Sequence, residues 1–242
     1  MMNGVNNMKT YYEKIMFVKE KVSSYLKEIF KVYGNELLLR LEEYNLLTST
    51  NNCIETSTAT GFIMEEFITS KLEIYTKDHN GVDDIVIHKL SGQSTVNSSY
   101  DCFANYDGIF VMINIKVQKD GSANNAVAAI NILHNDYVST NPAQEKCYML
   151  LKSFYDFGMS KKDGERKIMV SGVGGYCLEE IDFSRGHKQD HRNWSANFNA
   201  NSGRLQVPAT WLKENKLDEK DVSYSKTKSF IDDMYNGRNP EI

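Results

Sequence analysis

The order of apolar patterns along the chain predicts an α/β (α+β) fold, with a mixed central sheet flanked by helices and an N-terminal helical element in front of it. Three observations carry this reading. Ile15, Val18, Val22, Leu26 and Phe30 recur at three-to-four spacing, the period of a helix that buries one face. Between residues 84 and 117, three β-branched or almost wholly apolar runs follow one another. The last two are joined by Asn105-Tyr-Asp-Gly108, whose Asp-Gly pair favours a two-residue hairpin. An Ala-rich stretch then precedes two more strand-like runs, so helices and strands interleave as they do around a mixed sheet.

Taken in order, residues 9–47 read as two helices separated at Gly34, with Leu37, Leu38, Leu39 and Leu41 resuming the apolar pattern after the break. Residues 48–60 are rich in Ser, Thr and Asn, and a helix follows over 61–72. Lys77-Asp-His-Asn-Gly81 has the composition of a turn. Strands are expected at 84–90, 99–104 and 109–117, and the last is apolar enough to be central. Residues 123–133 return to helical spacing, 147–155 and 167–173 read as strands, and a terminal helix lies near 230–235. Gly172-Val-Gly-Gly-Tyr-Cys177 reads as a tight turn after the last strand and not as a dinucleotide loop, because its sixth position is Cys177. Three prolines and no long Gly/Ser tract leave no sharp boundary, so one continuous domain is expected. Its regions are 1–57, a helical packing or dimerisation element; 58–180, the core; and 181–242, a polar C-terminal region.

Composition excludes several classes. The chain has 242 residues, 28 Lys+Arg against 32 Asp+Glu, and 41% hydrophobic residues, which fits a soluble globular protein. No apolar run approaches the roughly 20 residues that span a bilayer, and the N-terminus has no apolar signal-peptide core. A cytoplasmic protein without a membrane partner is expected. Cys53, Cys102, Cys147 and Cys177 are far apart, so no zinc knuckle or disulfide framework is expected, and none sits in a motif for nucleophilic catalysis. A net charge of −4 weighs against a protein that coats nucleic acid through bulk electrostatics.

Chemistry concentrates on the hairpin. Side chains alternate along a strand, so Asn114, Lys116 and Gln118 share one face while Ile113, Ile115 and Val117 share the other. The hairpin folds Asp101 back toward the same strand end. A carboxylate, an amide oxygen and an ammonium would converge there, a set that suits a hard divalent cation and Mg²⁺-assisted attack of water on a phosphodiester. Asp107 is a rival acid, although Asp is expected in that turn for turn chemistry alone. On the preceding helix, Ile63, Met64, Phe67, Ile68 and Leu72 define an apolar face. Glu65 borders that face and Glu66 points further away, so a glutamate reaching the sheet edge should be Glu65; the alternative is that both are solvated.

An Asp, a turn, and an acid or amide two residues before a Lys resembles the pattern of the PD-(D/E)xK nucleases. The layout, with its Glu on a helix before the first core strand, is similar to type II restriction endonucleases of the EcoRV and HincII kind. The resemblance covers roughly residues 58–135 and extends beyond them only in element order. It implies a restriction-endonuclease-like core with residues 58–180 as the catalytic region. Asp101 and Asn114 would be metal ligands, with the Ile115 carbonyl a possible third. Lys116 would orient water and offset transition-state charge, and Glu65 would be the helical acid. Tyr100 replaces the family's Pro, which carries no chemistry. Asn114 replaces its middle acid, which removes one negative charge from the metal site. The implied protein is a Mg²⁺-dependent, site-specific endonuclease of double-stranded DNA. It would act as a homodimer on a palindromic site and be paired in the cell with a DNA methyltransferase. The alternatives are an inactive or non-specific DNA-binding protein of the same fold, or a repair or junction-resolving nuclease.

A second region, residues 185–206, concentrates groups that contact DNA. Arg185, Lys188, Arg192 and Arg204 suit phosphate and guanine, whereas Gln189, Asn193, Asn197 and Asn199 suit adenine. From residue 159 to 216 there are ten Lys or Arg against seven Asp or Glu, a local +3. The alternative is a polar surface loop in an Asn-rich chain.

Overall fold

The computed structural model describes residues 9–37, 56–79, 82–122, 126–185, 204–207 and 209–236. Helix α1 (Tyr11–Tyr33) starts at a capping box, in which the Thr10 hydroxyl accepts from the Glu13 amide and the Glu13 carboxylate accepts from the Thr10 amide. It ends at Gly34, whose φ of 88° breaks the helical path. Glu36–Leu37 then form the short strand β1. The rest of the second helix expected before residue 47 lies outside the described residues. Where it was to begin, the chain is extended because Glu36 and Leu37 pair with Met169 and Ile168, a partner no local pattern announces.

Helix α2 (Thr56–Asp78) is longer than the expected 61–72 and runs through the Lys77–Asp78 part of the expected turn. Strand β2 (His88–Lys89) is all that forms of the strand expected at 84–90, and a one-turn helix α3 (Ser94–Asn97) follows. Strands β3 (Cys102–Tyr106) and β4 (Ile109–Lys119) make the expected hairpin, with Tyr106 opposite Ile109. Asp107 and Gly108 both adopt positive φ, 45° and 83°, as the two-residue turn requires. The helix expected over 123–133 is corrected. Ala126–Ala129 form strand β5, and only Ile130–His134 are α-helical, as α4.

Strands β6 (Lys146–Met159) and β7 (Arg166–Cys177) are longer than expected, and the run Gly172–Cys177 belongs to β7 and is not a turn. Its glycines permit close approach, since a Cβ on Gly175 would lie 2.6 Å from the Leu150 carbonyl oxygen. Strand β8 (Arg204–Gln206) pairs with β5, which explains why the alanines before α4 are extended. Helices α5 (Ala209–Glu214) and α6 (Tyr224–Tyr235) complete the chain.

The main sheet has six strands in the order β1-β7-β6-β4-β3-β2. The meander β2-β3-β4 is antiparallel, β4 pairs with β6 in parallel, and β7 returns antiparallel, so the sheet is mixed. Alternation along β4 gives the sheet two faces. Ile113 and Ile115 pack with Val22 and Leu26 of α1 and Ile68 and Leu72 of α2. Met112, Tyr148 and Leu150 face the other way, onto Ile130 and Leu133 of α4 and Phe230 and Ile231 of α6. The structure is thus mixed α/β, a six-strand sheet with helices on both faces and an N-terminal helix packed against it. Among the described residues, no helix is long and apolar enough to cross a membrane.

Candidate active site

The site arises from a mismatch in strand length. Strand β4 has 11 residues and β3 has 5, and their ladder stops at the pair Cys102–Ile113. The amides of Ile115 and Val117 point to the same edge as that of Ile113, yet among the described residues no strand covers them there. Carboxylates take the place of the strand. Asp101 donates its backbone N–H to the Ile113 carbonyl at 2.9 Å, and its Oδ2 accepts from the Ile115 amide at 2.6 Å. Glu65, half-buried on α2, accepts from the Val117 amide. Two carboxylates therefore cap two successive free amides on one strand edge, and the charge on Lys116, the residue between, acts on both.

Burial raises both carboxyl groups above the ordinary carboxylate range. For Glu65 the Lys116 ammonium opposes that rise and the neighbouring Asp101 charge adds to it. For Asp101 the Ile115 hydrogen bond and Lys116 oppose it. Crowded, desolvated acids of this kind gain most from a cation placed between them.

Asn114 stands on the face turned away from α1 and α2, the one that also carries Lys116, and is 4% exposed. Its Nδ2 donates to the Ser99 carbonyl at 2.6 Å, the Val127 carbonyl at 3.2 Å and the Tyr148 hydroxyl at 2.9 Å, while the Tyr148 hydroxyl itself donates to Ser99. Two carbonyl acceptors fix which end of the amide carries the nitrogen. Its Oδ1 is buried without a partner among the described residues, an unmet acceptor that ordinarily costs about 1–3 kcal/mol. Among the described residues, the second oxygen of Asp101 and the Oδ1 of Asn114 have no hydrogen-bond partner, and the Ile115 carbonyl lies on the strand edge that Asp101 caps. An all-oxygen donor set of this kind fits a hard cation such as Mg²⁺.

The remaining candidates divide clearly. Glu66 is exposed and forms an ion pair with Lys89. Asp107 sits in the hairpin turn at the far end of β4, where it pairs with Lys14 at 3.3 Å, so the fold does not bring it to Asp101 and Lys116. Arg185 ends a one-turn 3₁₀ helix and Arg204 is exposed on β8. Lys188, Gln189, Arg192, Asn193, Asn197 and Asn199 lie outside the described residues.

Two groupings escaped the sequence reading. Lys152 of β6 is the register partner of Lys116 across the parallel pair, a placement that depends on a register no local motif sets. Cys147, Cys177 and Glu179 come within 4.8 Å of one another through the antiparallel β6/β7 pair. This second cluster is closed. Glu179 accepts from the Tyr137 hydroxyl at 2.6 Å, the Tyr148 amide at 2.9 Å and the Cys147 thiol at 3.5 Å. Burial raises the Cys147 thiol and pushes Glu179 up to about 7. Protonated thiols beside a carboxylate whose acceptor capacity is used describe a structural network better than a metal centre. Neither a family model nor a curated protein matches the chain.

Proposed function

We propose that this protein is a Mg²⁺-dependent, site-specific endonuclease of double-stranded DNA, of the type II restriction kind. The observation that carries the reading is the strand edge where Asp101 and Glu65 cap the Ile115 and Val117 amides on either side of Lys116. Asp101, the Asn114 amide oxygen and the Ile115 carbonyl would hold the cation. When bound, Mg²⁺ would favour attack by water on a phosphodiester and offset charge at the phosphorus. Lys116, whose side chain has no hydrogen-bond or ion-pair partner among the described residues, would orient the attacking water and face the developing negative charge. Glu65 would hold a proton from that water or position it, since burial raises its carboxyl group. A palindromic site presents two equivalent strands, so the active species would be a homodimer. Residues 185–206 would read the bases, and a methyltransferase would protect the cell's own sites.

A second reading, a DNA-binding protein of the same layout without cleavage, is favoured by one observation. The nitrogen of Asn114 is fully committed to holding the fold. A repair or junction-resolving nuclease remains a third reading. Incubation of the protein with phage DNA, with Mg²⁺ or with EDTA, separates them. Discrete fragments only with Mg²⁺ support the proposal. A smear indicates a non-specific nuclease, intact but retarded DNA the binding protein, and intact unretarded DNA sinks all three. Cleavage confined to branched substrates would identify a junction enzyme.

A further inference from the structure

The sheet face that carries Lys116 has a second lysine on it. Lys116 and Lys152 are direct register partners on the parallel strands β4 and β6, whose axes run about 5 Å apart. Both side chains stand on the same face, and both are half-buried. Among the described residues, the β7 positions beside this strip are glycines. Gly174 lies opposite Lys152 and Gly172 opposite Phe154. A Cβ on either glycine would meet only the Phe154 ring, at 3.8 Å for Gly172 and 3.7 Å for Gly174. The Tyr176 ring flanks the strip, with its centroid 5.5 Å from the Lys152 ammonium.

Charge on this strip is unbalanced. The carboxylates of Asp101 and Glu65 sit on the far edge of β4 and act on Lys116. Among the described residues Lys152 has no carboxylate against it: burial, and after it the charge of Lys116, lowers its affinity for a proton. Two adjacent, half-buried ammonium groups, with no anion between them among the described residues, lack a negatively charged group that both could touch. The non-bridging oxygens of a phosphodiester have the right charge and span. The arrangement separates the site into a carboxylate side, where a divalent cation belongs, and an ammonium side, where a phosphate belongs.

We infer that Lys152 and Lys116 together hold a phosphate of the DNA backbone across the β4/β6 seam, so that Lys152 is a second substrate-binding residue of the active site. This rests on the nuclease reading for the identity of the substrate. It adds a residue that the sequence pattern does not contain.

The test compares Lys152→Gln and Lys152→Arg with Lys161→Gln, which removes an exposed charge outside the strip. Binding to duplex DNA is measured with Ca²⁺ in place of Mg²⁺ across a salt series, and single-turnover cleavage is measured with Mg²⁺. Lys152→Gln is expected to lose roughly tenfold or more in affinity, equally on all sequences, and to lower the salt slope by about one, as the loss of one phosphate contact does. Cleavage should fall with it, Lys152→Arg should recover most of both, and Lys161→Gln should change neither. An unaltered thermal midpoint for Lys152→Gln excludes a folding defect; a lowered midpoint without rescue by Lys152→Arg assigns Lys152 to the fold and overturns the inference. Parent-like slope and cleavage in Lys152→Gln also overturn it. If the parent binds DNA but never cuts it, the nuclease reading fails while the salt slope still decides the lysine pair. If it does not bind DNA, both fail.

Discussion

Two clusters of buried ionisable groups are built on the same sheet, and they differ in what is left over. At Glu179 the carboxylate has a partner for each oxygen, the thiols of Cys147 and Cys177 fill the space around it, and all three residues are sealed from solvent. At Asp101 one oxygen holds the Ile115 amide, and among the described residues Asn114 Oδ1 has no partner and neither Lys116 nor Lys152 forms an ion pair. Burial raises the acids in both places, so a raised carboxyl group alone does not distinguish a functional site from a structural one. Unused bonding capacity does. A closed network spends its polar groups on the fold, whereas an open one keeps donors and acceptors for a ligand.

The largest expected effect breaks this comparison on the open side. Asp101→Asn keeps an oxygen to accept from the Ile115 amide and so keeps the strand edge intact, but it removes the charge a cation needs. Cleavage should fall roughly 10²- to 10⁴-fold, as it should for Lys116→Ala, with the unfolding midpoint in urea almost unchanged. Cleavage at the parental rate in both variants would remove the site. Glu179→Gln, made in the closed cluster, should cut DNA like the parent.

Asn114→Asp comes next and tests where the two roles meet. The amide nitrogen donates to two carbonyls, of Ser99 and Val127. A carboxylate oxygen in its place would face them as a third acceptor, buried and charged. The substitution is therefore expected to destabilise the protein by up to about 4 kcal/mol in urea denaturation. Parental stability would mean that the amide does not hold these carbonyls.

The closed side is sharpened by pH. The Glu179 carboxyl is raised from 4.5 to about 7 in the folded protein. The folded chain thus keeps a proton that the unfolded chain gives up between these values. The stability that this carboxyl contributes is full below about pH 4.5, falls as the pH rises to about 7, and is then level. The loss is on the order of 3 kcal/mol. Glu179→Gln keeps an oxygen for Tyr137 and Tyr148 and has nothing to ionise. Urea denaturation across this range should show the difference between the variant and the parent growing by about that amount. A constant difference would mean that Glu179 is not held protonated.

The parts of this fold legible in the sequence are those fixed by neighbours in the chain. The three-to-four spacing of Ile15 to Phe30 marks α1, and the Asp107-Gly108 pair with an apolar run behind it marks the β3/β4 hairpin. Two short strands with distant partners are not legible. Glu36–Leu37 and Ala126–Ala129 read as helix because their extended state depends on β7 and β8. The site divides the same way. Asp101, Asn114 and Lys116 lie on one hairpin and could be named from it. Lys152 and the Cys147–Cys177–Glu179 cluster depend on the register of β6 with β4 and β7, which is set by packing across the whole sheet.

The smallest expected effect separates two adjacent residues of α2. Glu66 is exposed and pairs with Lys89 at the surface, an interaction worth about 0–1 kcal/mol. Glu66→Ala should shift the urea midpoint by little and leave Mg²⁺-dependent cleavage as it was. One position earlier, Glu65 accepts from Val117 and carries the Asp101 and Lys116 charges beside it. Glu65→Gln retains an acceptor for that amide, so a loss of cleavage without a loss of stability is expected there. Since one residue on a helix is a rotation of about 100°, the contrast between these two variants reads the phase of α2 against the sheet directly. Equal cleavage by both would place the helical acid outside the chemistry and leave the site to the hairpin and its neighbouring strand.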